Sequence, residues 1–351
     1  MPQPGVIAII LHPATPSDAG PLARGVGDAR AELAERHRRG FLAAGAAEAR
    51  VVTGPPAASF GSRLRAIARS LPEGQGLVVL GSGAVPLATR RDLGRFVAAA
   101  AGRGPGRRGL ANSRFSADIV AVPEARSVLA HVPDLPSDNV LPRWLADVGL
   151  AVDDLADRWR LTVDIDSPLD LLLLGGRHVR HLEPAARSRV AEAIARIRAV
   201  AGDPGAELLV AGRTGPATLA WLTGATAART RALVEERGLR ASVPGQRPPA
   251  SVLGLLLEHV GPEALGAVLA RLADAAILDS RVLLAHRLGP SAEAWPADED
   301  RFAADLLLHE RIRDPWLRAL TRAAVEAPIP ILLGAHTLVG PGLRLLLRAR
   351  P

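Results

Sequence analysis

The sequence contains no cysteine, no lysine and no tyrosine, and the first two absences remove whole classes of chemistry. Without cysteine the chain has no disulfide, no thiolate nucleophile and no cysteine-ligated zinc. Without lysine it has no Schiff-base amine and no ammonium group to hold a phosphate. Any contact with a phosphate must therefore come from arginine, from backbone N–H groups or from a metal ion.

The sequence also lacks an uncharged apolar run of membrane-spanning length that is free of glycine and proline. The apolar run Val6–Leu11 follows no basic region and is too short for the core of a signal peptide. These features predict a soluble, cytoplasmic protein without a membrane partner.

The net charge of +7 comes entirely from arginine, and aromatic residues make up only 3% of the chain. The densest basic runs, at residues 36–39 and 103–108, belong to a helix that also carries glutamate and to a glycine-rich loop. Both are typical of solvated surface rather than of a stripe that follows a phosphate backbone. Nucleic acid is therefore not the expected partner, and the oligomeric state is left open.

At 351 residues the chain is too long for one typical core. Strands and helices alternate in both halves, which predicts an α/β fold: a three-layer αβα domain with a mostly parallel sheet, and a second, smaller α/β domain. The pair Gly175-Gly176, followed by a basic stretch, marks the predicted boundary. The predicted domains are residues 1–176 and 177–351.

The most informative stretch runs from Arg160 to Leu171. Apolar Leu161, Val163 and Ile165 alternate with polar residues, which predicts a strand. On a strand Asp164 and Asp166 project from one face about 6–7 Å apart. Ser167 and Pro168 then predict the start of a helix, with Asp170 in its first turn. The two aspartates either hold a cation or simply solvate the end of a strand.

In the first half, buried strands are predicted at Val6–Leu11, Ala49–Val52 and Gly76–Leu80, each followed by a helix. Ligands of parallel sheets bind beyond the carboxyl ends of the strands. The loops that start at His12 and Gly81 are expected at that edge, together with Asp164.

These segments resemble nucleotidyltransferases of the sugar-nucleotide type. The resemblance covers about residues 5–175. It lies in Leu77-Val78-Val79-Leu80-Gly81 with Pro86-Leu87, and most specifically in Asp164-Ile165-Asp166-Ser167-Pro168-Leu169-Asp170-Leu171, which is similar to the family's D-x-D-T-P-x-D-L. The most similar members are the 2-phospholactate or phosphoenolpyruvate guanylyltransferases and the molybdenum-cofactor guanylyltransferases.

The resemblance implies that a substrate phosphate attacks the α-phosphate of a nucleoside triphosphate, with Mg²⁺ held by carboxylates. The partners it implies are a nucleoside triphosphate and a small phosphorylated acceptor. Asp164 and Asp166 would be the catalytic metal ligands. The implied nucleotide-binding residues are His12, Arg24, Gly81, Ser82 and Gly83.

The chain departs from the family at two places. The first loop, residues 12–24, is not glycine-rich, and Arg24 is its only cation. Ser82 stands where the family's G-D-x-P-L motif has aspartate, and a serine hydroxyl is a weak metal ligand. Either another acid substitutes, with Asp118 the candidate, or the domain is an inactive descendant that binds a nucleotide or phosphometabolite as a regulator or scaffold.

Two further stretches lie where the family binds its acceptor, and each also has an ordinary structural reading. Asn112 and Arg114 offer an amide and a guanidinium for substrate binding, or else they form a simple turn before a strand. Asp138 and Asn139 offer a second pair of substrate-binding groups, although Ser137 or Asp138 reads equally as a helix N-cap.

In the second half, polar groups follow three predicted strands and give a second candidate site for a phosphorylated or carboxylated molecule. If the strands are parallel neighbours, the groups converge; otherwise Asp279 and Arg281 form structural ion pairs with Arg301 or Asp300. The residues are Arg213, Thr214, Asp279, Arg281 and His336.

Overall fold

The computed structural model describes residues 5–54, 59–103, 106–155, 157–239 and 245–348. The chain forms two compact units, and each unit has a sheet of its own. The first consists of Met1–Pro16 and Gly27–Asp164, and the second of Ser17–Val26 and Ile165–Pro351. The chain thus passes into the second unit directly after Asp164, ahead of the predicted boundary at Gly176.

The first unit contains β1–β6 and α2–α5, and it shares α1 with the second unit. In chain order the elements are β1 (Val6–Pro13), α1 (Pro21–Ala43), β2 (Glu48–Gly54), α2 (Phe60–Ser70), β3 (Gly76–Gly81), α3 (Arg90–Ala100), β4 (Gly109–Ala111), β5 (Ile119–Val122), α4 (Ala125–Val128), α5 (Leu141–Asp147) and β6 (Val152–Asp154), with 3₁₀ turns at Asp138–Val140 and Trp159–Leu161.

The six strands of the first unit form one sheet in the order β2-β1-β3-β5-β4-β6. β1 is parallel to β2 and β3, whereas β5 is antiparallel to β3 and β4. Alternate residues of β1 enter two cores: Ile10 packs with Phe41 of α1 and Phe96 of α3. Ile9 packs with Leu64 of α2. Helices therefore cover both faces, and the predicted αβα architecture is confirmed.

The second unit contains the remaining elements. They are α6 (Pro168–Leu174), α7 (Pro184–Ala201), β7 (Glu207–Gly212), α8 (Pro216–Ala225), β8 (Arg229–Val234), α9 (Val252–Val260), α10 (Leu265–Ala270), β9 (Ala275–Asp279), α11 (Ser280–Leu288), α12 (Asp298–Asp305), α13 (Pro315–Glu326), β10 (Ile331–Gly334), α14 (His336–Val339) and α15 (Gly342–Leu347), with 3₁₀ turns at Gly176–His181, Pro262–Ala264, Ala292–Ala294 and His309–Arg311.

The second sheet has four strands, all parallel, in the order β10-β9-β7-β8. β9 is buried along its whole length, and α7 contacts three of the four strands. The prediction of a second α/β domain is confirmed. Its sheet is the smaller of the two, although the second unit takes up more of the chain.

The predicted strand over residues 161–166 is wrong. Leu161, Val163 and Ile165 are buried as their alternation requires. The backbone, however, leaves a 3₁₀ turn at Leu161 and makes a single isolated antiparallel bridge, between Asp164 and Ala84. Burial of alternate side chains thus produced the strand pattern without a ladder of hydrogen bonds.

Two other boundaries differ from the prediction. The mixed basic and acidic residues at 229–237 predict a helix from the sequence, but Arg229–Val234 is an edge strand. Little of its surface is buried, so no apolar alternation marks it. The loop after His12 is shorter than expected because α1 begins at Pro21. The N–H groups of Leu22 and Ala23 both donate to the carboxylate of Glu299, which caps the helix.

Among the described helices, none is by itself both long and apolar enough to cross a membrane. The pair Val252–Val260 and Pro262–Ala270, which bends by 112°, meets the length and composition criteria together.

Candidate metal centre

The strand order of the first sheet reverses between β1 and β3, because β2 lies on the other side of β1. Ligands of open α/β sheets bind at such a point, beyond the carboxyl ends of the strands. His12 and Ser82 lie there, with His12 Nδ1 3.0 Å from Ser82 Oγ. Burial, and then the positive charge of Arg30, lower the pKa of His12.

The loop Gly81–Leu87 after β3 is held in place by α1. His37 Nε2 lies 2.8 Å from the carbonyl oxygen of Ala84, and Arg36 donates to the carbonyl of Pro86 at 2.5 Å. Between them, Val85 has a φ of 44° and is fully buried. A β-branched residue in this region is strained, and such strain persists only where the surroundings enforce it. The loop is therefore rigidly defined.

Asp164 is attached to this loop through its backbone bridge to Ala84. Its side chain is 8% exposed. Nearby in the chain, Arg160 donates to the carbonyl of Leu87 at 3.2 Å and fixes the other end of the loop. The structure thus brings Asp164 to the same edge of the first sheet as His12 and Ser82.

Asp166 is positioned by the first turn of α6. The hydroxyl of Ser167 accepts a hydrogen bond from the N–H of Asp170, and the carboxylate of Asp170 accepts from the N–H groups of Asp166 at 2.9 Å and Ser167 at 2.7 Å. This capping box confirms the helix start predicted from the sequence. Burial, and next the negative charge of Asp166, raise the pKa of the Asp170 carboxyl to about 7.

Asp166 and His336 meet in the second unit. His336 follows β10 and starts α14, and its Nδ1 lies 3.9 Å from Oδ2 of Asp166. The side chains of Asp166 and His336 are 43% and 33% exposed, so the pair is open to solvent. One ligand atom each from Asp164, Asp166 and His336 lies within 4.8 Å of the others.

These three residues form a group that can hold a metal ion. Two carboxylates and one imidazole supply oxygen and nitrogen ligands and leave coordination positions for other molecules. Asp118, the predicted substitute for the missing aspartate, is not in this group. His336 belongs to the metal group, although the sequence analysis assigned it to the second candidate site. Asp166 and His336 are far apart in the chain, so no local sequence pattern predicts their contact.

Asn112 and Asp118 instead hold each other. Asn112 Nδ2 donates to Asp118 Oδ2 and to the carbonyl of Leu161, both at 2.8 Å, while Asn112 Oδ1 accepts from the N–H groups of Asp118 and Ile119. The Asn112 side chain is fully buried, and these bonds use both of its N–H groups and both lone pairs of its oxygen. Asn112 therefore stabilises the turn before β5, which is the structural one of the two roles predicted for it.

The other predicted substrate-binding residues are not brought together with Asn112 by any contact seen in the described residues. Arg114 donates to the carbonyl of Val152 at 3.0 Å. Asp138 accepts from the N–H of Asn139, in a 3₁₀ turn that has no side-chain cap. Among the described residues, Asn139 Oδ1 is buried without a hydrogen-bond partner. Arg24, the predicted phosphate cation, is exposed and donates to the carbonyl of Ala19.

At the second candidate site the three strands are parallel neighbours, as the convergence required. Three of the five predicted residues, however, form ion pairs within the protein: Arg213, Asp279 and Arg281. Arg213 binds Asp279 through two hydrogen bonds of 2.5 and 3.0 Å. Arg281 binds Asp305, which the sequence did not single out, at 2.5 and 2.6 Å. Asp279 and Arg281 thus form ion pairs, but their partners are Arg213 and Asp305 rather than the predicted Arg301 or Asp300.

No family model and no curated protein matches the chain. The chemistry of the site therefore follows from its own geometry. That geometry consists of the carboxyl-terminal edge of the first sheet, which carries His12, Ser82 and Asp164, and of the three residues Asp164, Asp166 and His336, which can hold a metal ion.

Proposed function

We propose that the protein is a metal-dependent nucleotidyltransferase that moves a nucleoside monophosphate from a nucleoside triphosphate to a small phosphorylated acceptor. One observation carries the proposal. Asp164, which can hold a metal ion together with Asp166 and His336, is bridged to Ala84 in the loop at the carboxyl-terminal edge of the first sheet, the edge at which open α/β sheets bind ligands.

The reaction needs little covalent chemistry from the protein. An oxygen of the acceptor phosphate forms a bond to the α-phosphorus, the bond from that phosphorus to the oxygen that bridges to the β-phosphorus breaks, and pyrophosphate leaves with the electron pair. A bound divalent cation supplies charge neutralisation at the phosphate oxygens. Asp164 and Asp166 would hold that cation, and the capping box of α6 fixes the backbone that carries Asp166.

The triphosphate binds at the edge that carries His12 and Ser82. A Cβ built on Gly81 would meet no atom within 4 Å, so the backbone there is open to a close approach by a ligand. The fixed loop Gly81–Leu87 provides a preorganised surface, which lowers the ordering cost of binding.

The metal would be a divalent cation, and the imidazole of His336 affects which divalent cation binds more tightly. The sequence resemblance implies Mg²⁺, which prefers oxygen ligands and octahedral geometry. An imidazole ligand favours first-row transition metals, and their affinity for a given site exceeds that of a hard cation. We therefore expect Mn²⁺ to bind more tightly than Mg²⁺, and His336→Ala to reduce this difference.

In a second candidate function, the protein is a catalytically inactive descendant of the nucleotidyltransferases that binds a nucleotide or phosphometabolite and acts as a regulatory or scaffold protein. Two residues that differ from the nucleotidyltransferase motifs favour this function. Ser82, in place of the family's aspartate, has its hydroxyl engaged by His12. Arg24 donates to a backbone carbonyl.

Calorimetric titration with each nucleoside triphosphate, with and without Mg²⁺ or Mn²⁺, separates the two functions. Metal-dependent binding that Asp164→Asn and Asp166→Asn weaken, together with pyrophosphate release when phosphorylated acceptors are added, supports the transferase. Binding that needs no metal supports the regulatory protein. If no triphosphate binds under any of these conditions, the transferase proposal is wrong, and so is nucleotide binding by an inactive descendant.

A further inference from the structure

The second sheet has a ligand-binding edge of its own, which the proposed transferase does not use. β7 lies between β8 and β9, so the strand order reverses between β7 and β9. At this point β7 ends at Gly212, and three residues separate it from Pro216, where α8 begins. The connecting turn Arg213-Thr214-Gly215 therefore occupies the position where open α/β sheets bind ligands.

At the start of α8, some backbone N–H groups have no hydrogen-bond partner among the described residues. α8 is ten residues long, and its N-cap, Gly215, has no side chain to satisfy the first N–H groups. The N–H of Thr218 bonds to the carbonyl of Gly215. In the described part of the chain, no hydrogen bond is made by the N–H groups of Gly215 and Ala217. The positive end of the helix dipole is thus available to an anion.

A buried hydroxyl adjoins these donors. Thr214 is 1% exposed, and its Oγ1 has no hydrogen-bond partner among the described residues. Covalent geometry keeps this oxygen within about 4 Å of the N–H of Gly215. A buried hydroxyl without a partner is costly, by about 1–3 kcal/mol, unless a ligand or water satisfies it.

A cation faces the same turn. A Cβ built on Gly215 would lie 3.3 Å from Nη1 of Arg237. The two acids that precede this arginine both bind the start of α9: Glu235 accepts from Val252 at 2.9 Å, and Glu236 accepts from Ala250 at 2.9 Å. The positive charge of Arg237 therefore adds to the positive end of α8.

The ion pairs beneath the turn do not cancel this charge. Arg213 is matched by Asp279, and Arg281 by Asp305. Each pair is neutral as a unit, and the carboxylates of Glu235 and Glu236 are directed to the start of α9. At the turn itself the positive groups are Arg237 and the end of α8, and such groups beside backbone donors favour an anionic ligand.

We propose that the turn Arg213–Pro216, with Arg237, binds the phosphate group of a small phosphorylated molecule. Three kinds of donor meet there: backbone N–H groups, the Thr214 hydroxyl and a guanidinium. A phosphate offers three terminal oxygens and up to two negative charges to such a set, whereas a carboxylate offers two oxygens and one charge. Arg237 is thus a binding residue that sequence reasoning missed.

The test is calorimetric titration of the full-length protein, freed of metal by a chelator, with inorganic phosphate and separately with acetate. We expect one phosphate site and weaker binding of acetate. Arg237→Gln should weaken phosphate binding about tenfold, the loss expected for a charge-assisted hydrogen bond. Thr214→Val should weaken it about fivefold. Arg237 is exposed, so its substitution should not affect folding.

Arg271→Gln is the matched control. Arg271 is also exposed, but it precedes β9 and so lies toward the opposite edge of the second sheet. It should leave phosphate binding unchanged. Asp166→Asn should also leave it unchanged, which separates this site from the proposed transferase site.

Three results would overturn the proposal. They are the absence of phosphate binding, phosphate binding that Arg237→Gln leaves intact, and acetate binding as tight as phosphate binding. Loss of phosphate binding in Asp166→Asn would instead place the phosphate at the metal group and also contradict the proposal.

Discussion

Gly212 is a residue that the fold of the second unit cannot replace. Its φ is 129°, and a Cβ there would lie 2.3 Å from Cβ of Asp279. We expect Gly212→Ala to destabilise the protein by about 2 kcal/mol or more, because both the backbone conformation and the space exclude a side chain. Urea denaturation measures the change in the free energy of unfolding.

Gly224 provides the control for that substitution. It lies inside α8, and a Cβ there would meet no atom within 4 Å. Gly224→Ala should be neutral or stabilise the protein by up to about 1 kcal/mol, since alanine is the better helix former. Equal effects of the two substitutions would contradict the packing described for Gly212.

His37 should make the stability of the first unit depend on pH. Burial lowers the pKa of His37 to about 4, and its Nε2 lies 2.8 Å from the carbonyl oxygen of Ala84. The unfolded chain binds a proton near pH 6.5, whereas the folded chain does not until about pH 4. The contribution is therefore fully present above pH 6.5 and is lost as the pH falls toward 4, by about 3 kcal/mol in total.

The measurement is urea denaturation of the wild type and of His37→Leu between pH 7 and 4.5. Carboxylates titrate in both proteins, so the difference between the two curves isolates the histidine. The wild type should lose more stability than the variant over this range. Parallel curves would show that His37 is not buried in its neutral form.

Residue patterns in the sequence identified the double aspartate and the start of α6, because capping and spacing are local properties. The same patterns did not predict that the side chain of Asn112 hydrogen-bonds to Asp118. They also did not predict that His336 lies next to Asp166. Those contacts depend on how the strands are ordered, and the sequence carries no local record of that order.

The same capping box starts α6 and α3, but only the one in α6 adjoins the metal group. Ser167 with Asp170 caps α6, and Thr89 with Asp92 caps α3. Ser167→Ala and Thr89→Ala should each cost about 1 kcal/mol of stability. Only Ser167→Ala should also weaken Mn²⁺ binding, by about tenfold, because it loosens the turn that positions Asp166.

Urea denaturation and Mn²⁺ titration of both variants provide the check. A loss of Mn²⁺ affinity in Thr89→Ala as large as that in Ser167→Ala would mean that the effect is one of general stability. An unchanged affinity in both would mean that the start of α6 does not position the ligand.

Elements were predictable where burial and backbone pairing agree. β1 and β3 are buried on both faces and read as apolar runs. β8 is an edge strand whose side chains are mostly exposed, so its sequence lacks apolar alternation and instead predicts a helix. Residues 161–166 show the opposite case, since alternating burial exists there without a strand.

Across the whole molecule, each sheet has its own interior, and the second contains a buried ion pair. Arg281 and Asp305 are 6% and 0% exposed. Removing one partner leaves the other charge buried, which costs about 3–5 kcal/mol, whereas replacing both by apolar residues recovers most of that loss. We expect Asp305→Leu to be strongly destabilising and the double variant Arg281→Met/Asp305→Leu to be much less so.

Amide hydrogen exchange shows which strands lose stability in Asp305→Leu. In Asp305→Leu, exchange should accelerate in β9 and β10 of the second unit, whereas β1 and β3 should keep their protection. Uniform acceleration in all four strands would mean that the two units unfold as one.

The α/β class and the two-sheet organisation were predictable from the sequence because alternating strands and helices allow few architectures. The division after Asp164 was not predictable, because no composition change marks it. As a result, the most informative motif in the sequence lies at the point where the chain passes from one unit to the next.

The central claim is that Asp164, Asp166 and His336 hold one divalent cation. The most direct test is titration of the metal-free protein with Mn²⁺, with the free ion measured by electron paramagnetic resonance. We predict one tight site per chain that is weakened at least about tenfold in Asp166→Asn and in His336→Ala but unchanged in His259→Ala, an exposed histidine of α9. The absence of a stoichiometric site, or a site that survives both substitutions, would contradict the claim.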